Sequence, residues 1–207
     1  MRKKAWRTSP AFFVFLAVAG AATADGRPPV RSLLEIRQEN VIVQQWDISC
    51  GAAALATLLT YQHGERVTEK AVAQTMLGKT DPLRVKVRGG FSLLDLKRYA
   101  SARGFQADGY SDMTLADLAK LGAAIVPVVF DRYPHFVVFR ALSDDRVLIA
   151  DPAYGNRSLE VEAFEKAWQK IAFVVERPGH HKPSGRLGPR LQDELRPSND
   201  MIRNALR

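Results

Sequence analysis

The sequence predicts an α+β fold in which an N-terminal helical half carries a lone cysteine and a C-terminal antiparallel sheet carries its chemical partners. Capped segments of helical period follow one another between residues 50 and 121. Short apolar runs separated by turns replace that period between residues 123 and 176. The single cysteine among 207 residues, Cys50, stands where the first of these helices begins. Helices first and antiparallel strands second are typical of α+β domains.

Residues 1–24 have the features of a secretory signal peptide. Four cations in the first seven residues precede an apolar core over 11–22, and the small residues Ala22 and Ala24 flank Thr23. The core is shorter than the roughly 20 residues that a membrane-spanning helix needs. We therefore expect cleavage after Ala24, a periplasmic or secreted protein, and no stable membrane anchor afterwards. An uncleaved anchor is the alternative.

The positive charge of the chain is concentrated at its two ends. The formal net charge is +8, with four cations in the predicted signal peptide and six basic residues against three acids over 178–207. The body over 25–177 is long enough for one domain and is near neutral. It has no cationic stretch with interleaved aromatics, so we expect no nucleic-acid partner. Gly, Pro, His and charge over 178–207 predict a basic, mostly disordered tail.

A lone cysteine is unusual in an exported chain, where cysteines generally pair as disulfides. Cys50 cannot close an intrachain bridge, so it is either a small buried hydrophobe or a residue kept for its reactivity. Unpaired N–H groups and aligned peptide dipoles at a helix start favour an anion such as a thiolate. This position makes Cys50 a candidate nucleophile.

Capping residues mark the predicted helix boundaries in the N-terminal half. Residues 31–43 carry two apolar groups that predict an N-terminal strand or hairpin. The Cys50 helix is predicted to run to about residue 62, with Gly64 as a left-handed cap. The remaining predicted elements are a helix over 69–77 capped by Thr68, a surface connection over 78–90, and helices over 93–103 and 115–121, which begin with capping boxes at Ser92 and Thr114.

The second half reads as strands. Apolar runs predict strands over 105–110, 123–130, 135–142, 147–150 and 171–176, with a turn at 154–156 and a helix over 161–170. The runs 135–142 and 147–150 are joined by a polar turn, so they should form an antiparallel hairpin.

A thiolate nucleophile needs a base that takes and returns a proton, and the base needs an orienting partner. Two of the four histidines, His180 and His181, lie in the predicted tail, and His63 lies at a predicted helix end. His135 begins a strand, so its imidazole should emerge at the rim of the sheet. The alternative for His135 is an ordinary, hydrogen-bonded histidine at a strand start.

Asp151 ends the strand that pairs with the His135 strand, and Pro152 breaks the ladder there. If the hairpin turns symmetrically about Asp144, His135 and Asp151 become diagonal neighbours on one face, roughly 7–8 Å apart. A four-residue turn would instead place them on opposite faces unless a bulge intervened. Asp151 could also be a simple Asp-Pro turn residue.

The oxyanion that forms when sulfur attacks a carbonyl needs a hydrogen-bond donor. Gln44, six residues before Cys50, can supply a side-chain N–H beside the backbone N–H of Cys50, and Gln45 is its competitor. Metal ligands at a typical spacing are missing from the sequence, and Gly89-Gly90 is no phosphate loop, so we expect no metal and no cofactor.

Together these residues resemble the papain-like double-glycine leader peptidases, also called bacteriocin-processing peptidases. The matching residues are Gln44, Cys50-Gly51 with the small-residue helix 52–55, the run 134–138, and Asp151-Pro152. The resemblance covers residues 38–176. It implies a papain-like cysteine peptidase fold with Cys50 as nucleophile, His135 as general base and acid, Asp151 as orienting partner and Gln44 in the oxyanion hole.

Many members of that family are N-terminal domains of membrane exporters, whereas the predicted signal peptide makes this chain more similar to the stand-alone exported members. Among those members is the peptidase of functional-amyloid secretion systems. One departure is Ser49, which stands before Cys50 where many relatives carry an acid.

The expected function is that of an exported cysteine endopeptidase that cuts a secreted polypeptide through a thioester intermediate. The resemblance implies small, Gly-Gly-like residues on the acyl side of the cut, and secretion-system components as further partners. Two alternatives keep the same fold: a non-catalytic adaptor that binds an exported polypeptide, and a transglutaminase-like acyltransferase in which an amine resolves the thioester.

Overall fold

The computed structural model describes residues 30–179 and 185–189 of the chain. The helices in this part are α1 (Leu33–Arg37), α2 (Cys50–Tyr61), α3 (Glu69–Leu77), α4 (Pro82–Arg88), α5 (Leu93–Ala102), α6 (Leu115–Leu121) and α7 (Val161–Ala167). The strands are β1 (Gln106–Tyr110), β2 (Ala124–Phe130), β3 (Tyr133–Ser143), β4 (Arg146–Asp151), β5 (Gly155–Glu160) and β6 (Ala172–Glu176). None of the described helices is both long and apolar enough to cross a bilayer. The predicted signal peptide lies outside the described residues.

The strands form one antiparallel sheet in the order β1-β6-β2-β3-β4-β5, which confirms the predicted α+β class. Successive side chains of a strand point to opposite faces, so the sheet separates two apolar clusters. The first cluster contains Leu55 and Leu58 of α2 together with Val138 of β3. The second packs Phe164 of α7 against Phe139 of β3.

Helix α2 begins at Cys50 as predicted and is the most deeply buried helix of the described chain. Every residue from 50 to 59 is buried. Its small residues allow close packing: a Cβ added at Gly51 would lie 3.3 Å from atoms of both Leu96 and Phe136. The small-residue run after the cysteine therefore lets α2 sit against α5 and β3 at the centre of the fold.

The predicted N-caps of α3, α5 and α6 are confirmed, whereas the C-cap of α2 is Gln62 rather than the predicted Gly64, which has a left-handed φ of 72° two residues later. Thr68 accepts a hydrogen bond from the backbone N–H of Ala71 at the start of α3. Ser92 and Thr114 open α5 and α6 with full capping boxes, in which the acid three residues on bonds back to the cap N–H. The hydroxyl and carboxylate satisfy N–H groups that the helix leaves without partners, so the local sequence sets these boundaries.

The predicted N-terminal strand or hairpin over 31–43 is wrong. Residues 33–37 form helix α1, which opens with a capping box between Ser32 and Glu35. The run 41–43 joins no sheet. The N–H of Ile42 donates to the Thr57 hydroxyl (2.9 Å), and the N–H of Gln44 donates to the Pro152 carbonyl (2.8 Å). These bonds take the place of a strand ladder.

The connection predicted over 78–90 contains helix α4. Asp81 caps it through the N–H of Leu83, Pro82 occupies its first turn, and Gly89 ends it in the left-handed region. Val85 is buried, whereas Leu83 and Val87 face solvent. The exposed apolar residues and the density of charge hid the helical period in this segment.

Two further differences lie near the end of the domain. The predicted turn at 154–156 leads at once into strand β5, which pairs with β4 along its whole length. Helix α7 ends at Ala167 rather than at residue 170, because Trp168 turns to an extended conformation and bridges to Val128 of β2. The Trp168 indole N–H then donates to the Ile171 carbonyl (2.7 Å).

The hairpin between β3 and β4 has a register that changes along its length. Ser143 pairs with Arg146, so the loop is the four-residue turn that would place His135 and Asp151 on opposite faces. Between Phe139 and Ala141 the register shifts, which makes Arg140 the extra residue of a β-bulge. Beyond the bulge the pairing matches the register that brings the two residues to one face. The predicted symmetric turn is wrong, but the bulge still brings His135 and Asp151 to the same face of the sheet.

Part of the predicted tail is packed against the domain. Leu187 is 2% exposed and belongs to the α2 cluster. The carbonyls of Leu187 and Gly188 accept hydrogen bonds from the Arg140 guanidinium (3.0 and 2.7 Å). Disorder is therefore the wrong prediction for 185–189, while 180–184 and 190–207 lie outside the described residues.

Candidate active site

The thiol of Cys50 lies in the first turn of α2. Ser49 precedes the helix but its side chain does not cap it; the hydroxyl lies instead against the Trp46 carbonyl (2.6 Å) and the Glu69 carboxylate. The N–H groups of the first turn are thus left directed toward the Cys50 end of the helix. Their partial positive charge favours an anion at this point.

The loop before Cys50 is held by a carboxylate that sequence reasoning missed. Glu69 is 4% exposed although it opens α3, because its oxygens turn inward. They accept the backbone N–H of Gln45 (3.0 Å) and lie against the Ser49 hydroxyl. Glu69 of α3 therefore places a carboxylate beside Ser49, the residue that precedes Cys50.

His135 and Asp151 are brought together by the hairpin. The imidazole Nε2 of His135 donates to Oδ1 of Asp151 at 2.8 Å, and both side chains are buried. The Cys50 thiol lies beside the same imidazole and helps to raise the pKa of His135. Because the hydrogen bond to Asp151 uses Nε2, Nδ1 is the ring nitrogen that remains for the Cys50 thiol. The structure thus unites three of the four predicted site residues.

Asp151 is fully buried and uses both oxygens. Oδ1 also accepts a hydrogen bond from the backbone N–H of Ala153 (2.9 Å), and Oδ2 accepts one from Nη1 of Arg157 (2.9 Å). The guanidinium of Arg157 lies over the rings of Phe130 and Tyr154, 5.1 and 5.4 Å from their centroids. Arg157 was missed because it lies on β5, the strand that sequence analysis did not predict.

The protonation of the pair follows from these contacts. Burial alone would lower the pKa of His135, but the hydrogen bond and charge of Asp151, together with the neighbouring Cys50, outweigh it and raise the pKa to about 9. Burial alone would raise the pKa of Asp151, yet hydrogen bonds from His135, Ala153 and Arg157 hold it below its usual value. At neutral pH the pair is therefore an imidazolium beside a carboxylate.

The side-chain amide of Gln44 is engaged in local hydrogen bonds. Nε2 donates to the Trp46 carbonyl (2.9 Å) and lies 3.4 Å from the Asp47 carbonyl, while Oε1 is buried without a hydrogen-bond partner among the described residues. The backbone bond from Gln44 to Pro152 ties it to the Asp151 loop. Gln45, the alternative, is exposed and uses its N–H on Glu69.

Cys50 and His135 face a cleft of about 450 Å³. One wall is the segment Arg88–Leu94, and the other comes from Pro127 and Val128 of β2 with Phe136 of β3. The walls are mostly apolar, as is usual for a site that excludes water from a reacting group. Among the residues that the structure describes, no group of three or more His, Cys, Asp and Glu side chains could hold a metal ion.

Comparison with known proteins places residues 38–179 against the family model described as "Peptidase C39 family". A protein of Pseudomonas aeruginosa, named "Probable functional amyloid protease FapD", is 39% identical over 161 residues, which are 77% of this chain and 70% of that protein. A Pseudomonas fluorescens protein of the same name is 38% identical over 160 residues, again 77% and 70% of the two chains.

One solved structure is similar in both fold and sequence. A double-glycine-motif protease from an AMS/PCAT transporter, in complex with its leader peptide, aligns with a TM-score of 0.55 and 27% identity over 68% of this chain and 95% of that one.

Proposed function

The chain belongs to the peptidase C39 family and is a cysteine peptidase, and we propose that it is an exported endopeptidase that uses Cys50 as nucleophile, His135 as general base and acid, and Asp151 to orient the imidazole. The observation that carries the assignment is the buried His135–Asp151 hydrogen bond at 2.8 Å, with Cys50 as the further partner of the same imidazole.

In the first half of the reaction, the Cys50 thiolate attacks the carbonyl carbon of the scissile bond. The peptide nitrogen leaves as an amine after His135 gives it a proton, and the acyl group remains on sulfur as a thioester. In the second half, His135 takes a proton from water, the hydroxide attacks the thioester, and Cys50 is released as thiolate. The products are a carboxylic acid and an amine, so atoms and protons balance.

The oxyanion of each tetrahedral intermediate needs donors. The backbone N–H of Cys50 is one, and we assign Gln44 as the second. Its Nε2 carries two hydrogens, and the Trp46 carbonyl takes only one of them at 2.9 Å. The contact to Asp47 is long at 3.4 Å, so the second hydrogen is available to a substrate oxygen.

The proposed substrate is an exported polypeptide with small residues on the acyl side of the cut. The apolar cleft between the 88–94 segment and β2 offers an extended backbone a place beside Cys50. The name of the Pseudomonas aeruginosa relative suggests a component of a functional-amyloid system, and the leader peptide in the double-glycine protease suggests cleavage after paired glycines.

The proposal is tested by mass spectrometry of exported proteins from cells that carry the wild-type chain or the Cys50→Ala variant. We expect new protein termini at small residues with the wild type and none with the variant. Thermal unfolding checks that the variant is folded. Identical termini in both strains would overturn the assignment, and products joined to amines would indicate the acyltransferase alternative instead.

The matched histidine control is His63, which does not line the cleft and donates a hydrogen bond from Nε2 to the Val175 carbonyl (2.8 Å). We expect His135→Ala to abolish cleavage and His63→Ala to retain it. An adaptor that binds without cutting would show no cleavage with any of the chains, wild type included.

A further inference from the structure

The β-bulge at Arg140 decides on which face of the sheet Asp151 lies. Without the extra residue, the register set by the hairpin loop would continue and turn Asp151 away from His135. With it, the two side chains share a face and form their 2.8 Å hydrogen bond. The geometry of the proposed catalytic pair therefore depends on the bulge keeping its shape.

The side chain of Arg140 is buried, with only 3% of the residue exposed. Among the described residues, its guanidinium has three acceptors: Nε donates to the Leu187 carbonyl (3.0 Å), Nη2 to the Gly188 carbonyl (2.7 Å) and Nη1 to Oδ1 of Asn156 (3.1 Å). A guanidinium taken out of water needs such acceptors, because an unsatisfied buried charge is very costly. Two of these described acceptors, the carbonyls of Leu187 and Gly188, come from the C-terminal segment 185–189.

The segment is held from two directions. The Leu187 side chain is inserted into the α2 cluster, and the Arg186 carbonyl accepts the amide of Asn40 (3.2 Å). Asn156, the third acceptor, donates in turn to the carbonyls of Arg37 and Glu39 (3.0 and 2.7 Å). Both ends of the domain thus meet at the bulged residue.

We propose that the C-terminal segment 185–189 is a positioning element of the active site, which acts through Arg140 to fix the bulge that aligns His135 with Asp151. This inference rests on the proposed function of that pair. The segment touches neither the thiol nor the cleft; its carbonyls hold the guanidinium, the guanidinium holds the bulge, and the bulge sets the register. The predicted tail thereby includes a segment that positions catalytic residues without touching them.

The test uses full-length variants. Leu187→Asp expels the segment by placing a carboxylate in an apolar cluster, and the matched control is Leu33→Asp, at a side chain that is 85% exposed on α1. Arg140→Met removes the guanidinium, and Arg140→Lys keeps the charge without the planar fork. Thermal unfolding identifies the temperature at which each variant is fully folded.

The readout is the pKa of His135 in the folded chain, measured by NMR of labelled imidazoles. It should fall from about 9 toward the ordinary 6.5 in Leu187→Asp and Arg140→Met, less in Arg140→Lys, and not at all in Leu33→Asp. The ratio kcat/KM for cleavage should fall roughly tenfold to hundredfold in the first two variants.

A purely structural role would lower the unfolding temperature and leave the pKa of His135 near 9, and that result in Leu187→Asp would overturn the inference. The NMR titration needs no substrate, so it also separates the two proposals. If the wild-type chain cleaves nothing and the pKa of His135 still falls in Leu187→Asp, the positioning role is supported and the proposed peptidase mechanism is removed.

Discussion

Replacing Asp151 by Asn removes a charge from the site and keeps the shape of the side chain. The pKa of His135 stands at about 9 rather than at its ordinary 6.5. A difference of this size corresponds to about 3 kcal/mol of preference for the imidazolium. Burial opposes that preference, and the hydrogen bond with Asp151 is the largest contribution that supports it.

Without the carboxylate, burial prevails and the pKa of His135 should fall to near 6.5 or lower. The asparagine amide also offers only one oxygen, whereas Asp151 now serves His135, Ala153 and Arg157. The ring would then be neutral at pH 7.5 and poorly oriented. General acid–base catalysis contributes typically 10²- to 10⁴-fold, so we expect kcat to fall by about that factor.

The assay combines NMR titration of His135 with the pH dependence of kcat/KM for a cleaved peptide. The alkaline limb of the wild-type profile should lie near pH 9 and should move to lower pH in Asp151→Asn. Asp108→Asn, at a carboxylate that is exposed and pairs with Lys97, is the matched control. A His135 pKa that stays near 9 in Asp151→Asn would refute the role given to this carboxylate.

Three further predictions concern the surroundings of the site. Glu69→Ala should lower kcat/KM roughly tenfold to hundredfold because the loop before Cys50 loses its anchor, whereas Glu69→Gln keeps one acceptor oxygen and should lose less; equal rates in all three chains would exclude the anchor. Gln44→Ala should lower kcat by about 10²-fold or more with little change in KM, and Gln45→Ala should not; the reverse ranking would move the oxyanion role to Gln45. Asp95→Asn should destabilise the chain by about 2 kcal/mol at pH 7 in urea titrations. Burial would raise the pKa of Asp95, but its bonds to Thr80, Ser92 and Arg88 lower it, so this stability is present above pH 3.8 and is lost as the pH falls through the lower folded-state pKa; a destabilisation that persists unchanged below that pKa would contradict the assignment.

Local signals sufficed wherever a short stretch of chain decides its own structure. The hydroxyl–acid pairs at Ser92 and Thr114 fix helix starts through bonds made within three residues, so the sequence alone locates them. The same signal stands at Ser32 and Glu35 and opens α1, although the apolar groups over 31–43 predict a strand or hairpin. At this position the capping box, and not the apolar pattern, decides the local structure.

The relation between His135 and Asp151 shows where local signals stop. Turn chemistry fixes the first pair of the hairpin, Ser143 and Arg146, but the bulge two pairs later depends on Arg140 being bound by carbonyls near the C terminus. No pattern within the hairpin announces a bond across 47 residues. The sequence therefore predicts that Asp151 is the partner of His135, but it does not predict the bulge that brings the two side chains to one face.

The supporting shell of the site was missed for the same reason. Glu69 reads as an ordinary acid in the first turn of a helix, where a favourable dipole explains it. Arg157 reads as a surface cation on a strand that was not predicted. Only the folded chain shows that one binds the loop before Cys50 and the other binds Asp151.

The central claim, that Cys50 carries the acyl group of a cut polypeptide, is tested most directly by intact-mass measurement of acid-quenched turnover. The chain holds a single cysteine, so an adduct that hydroxylamine removes from the protein identifies a thioester on Cys50. With a peptide mixture that the wild type cleaves, we predict such an adduct on the wild type and neither adduct nor products with Cys50→Ala. Cleavage of the same mixture by folded Cys50→Ala at the wild-type rate would contradict the account.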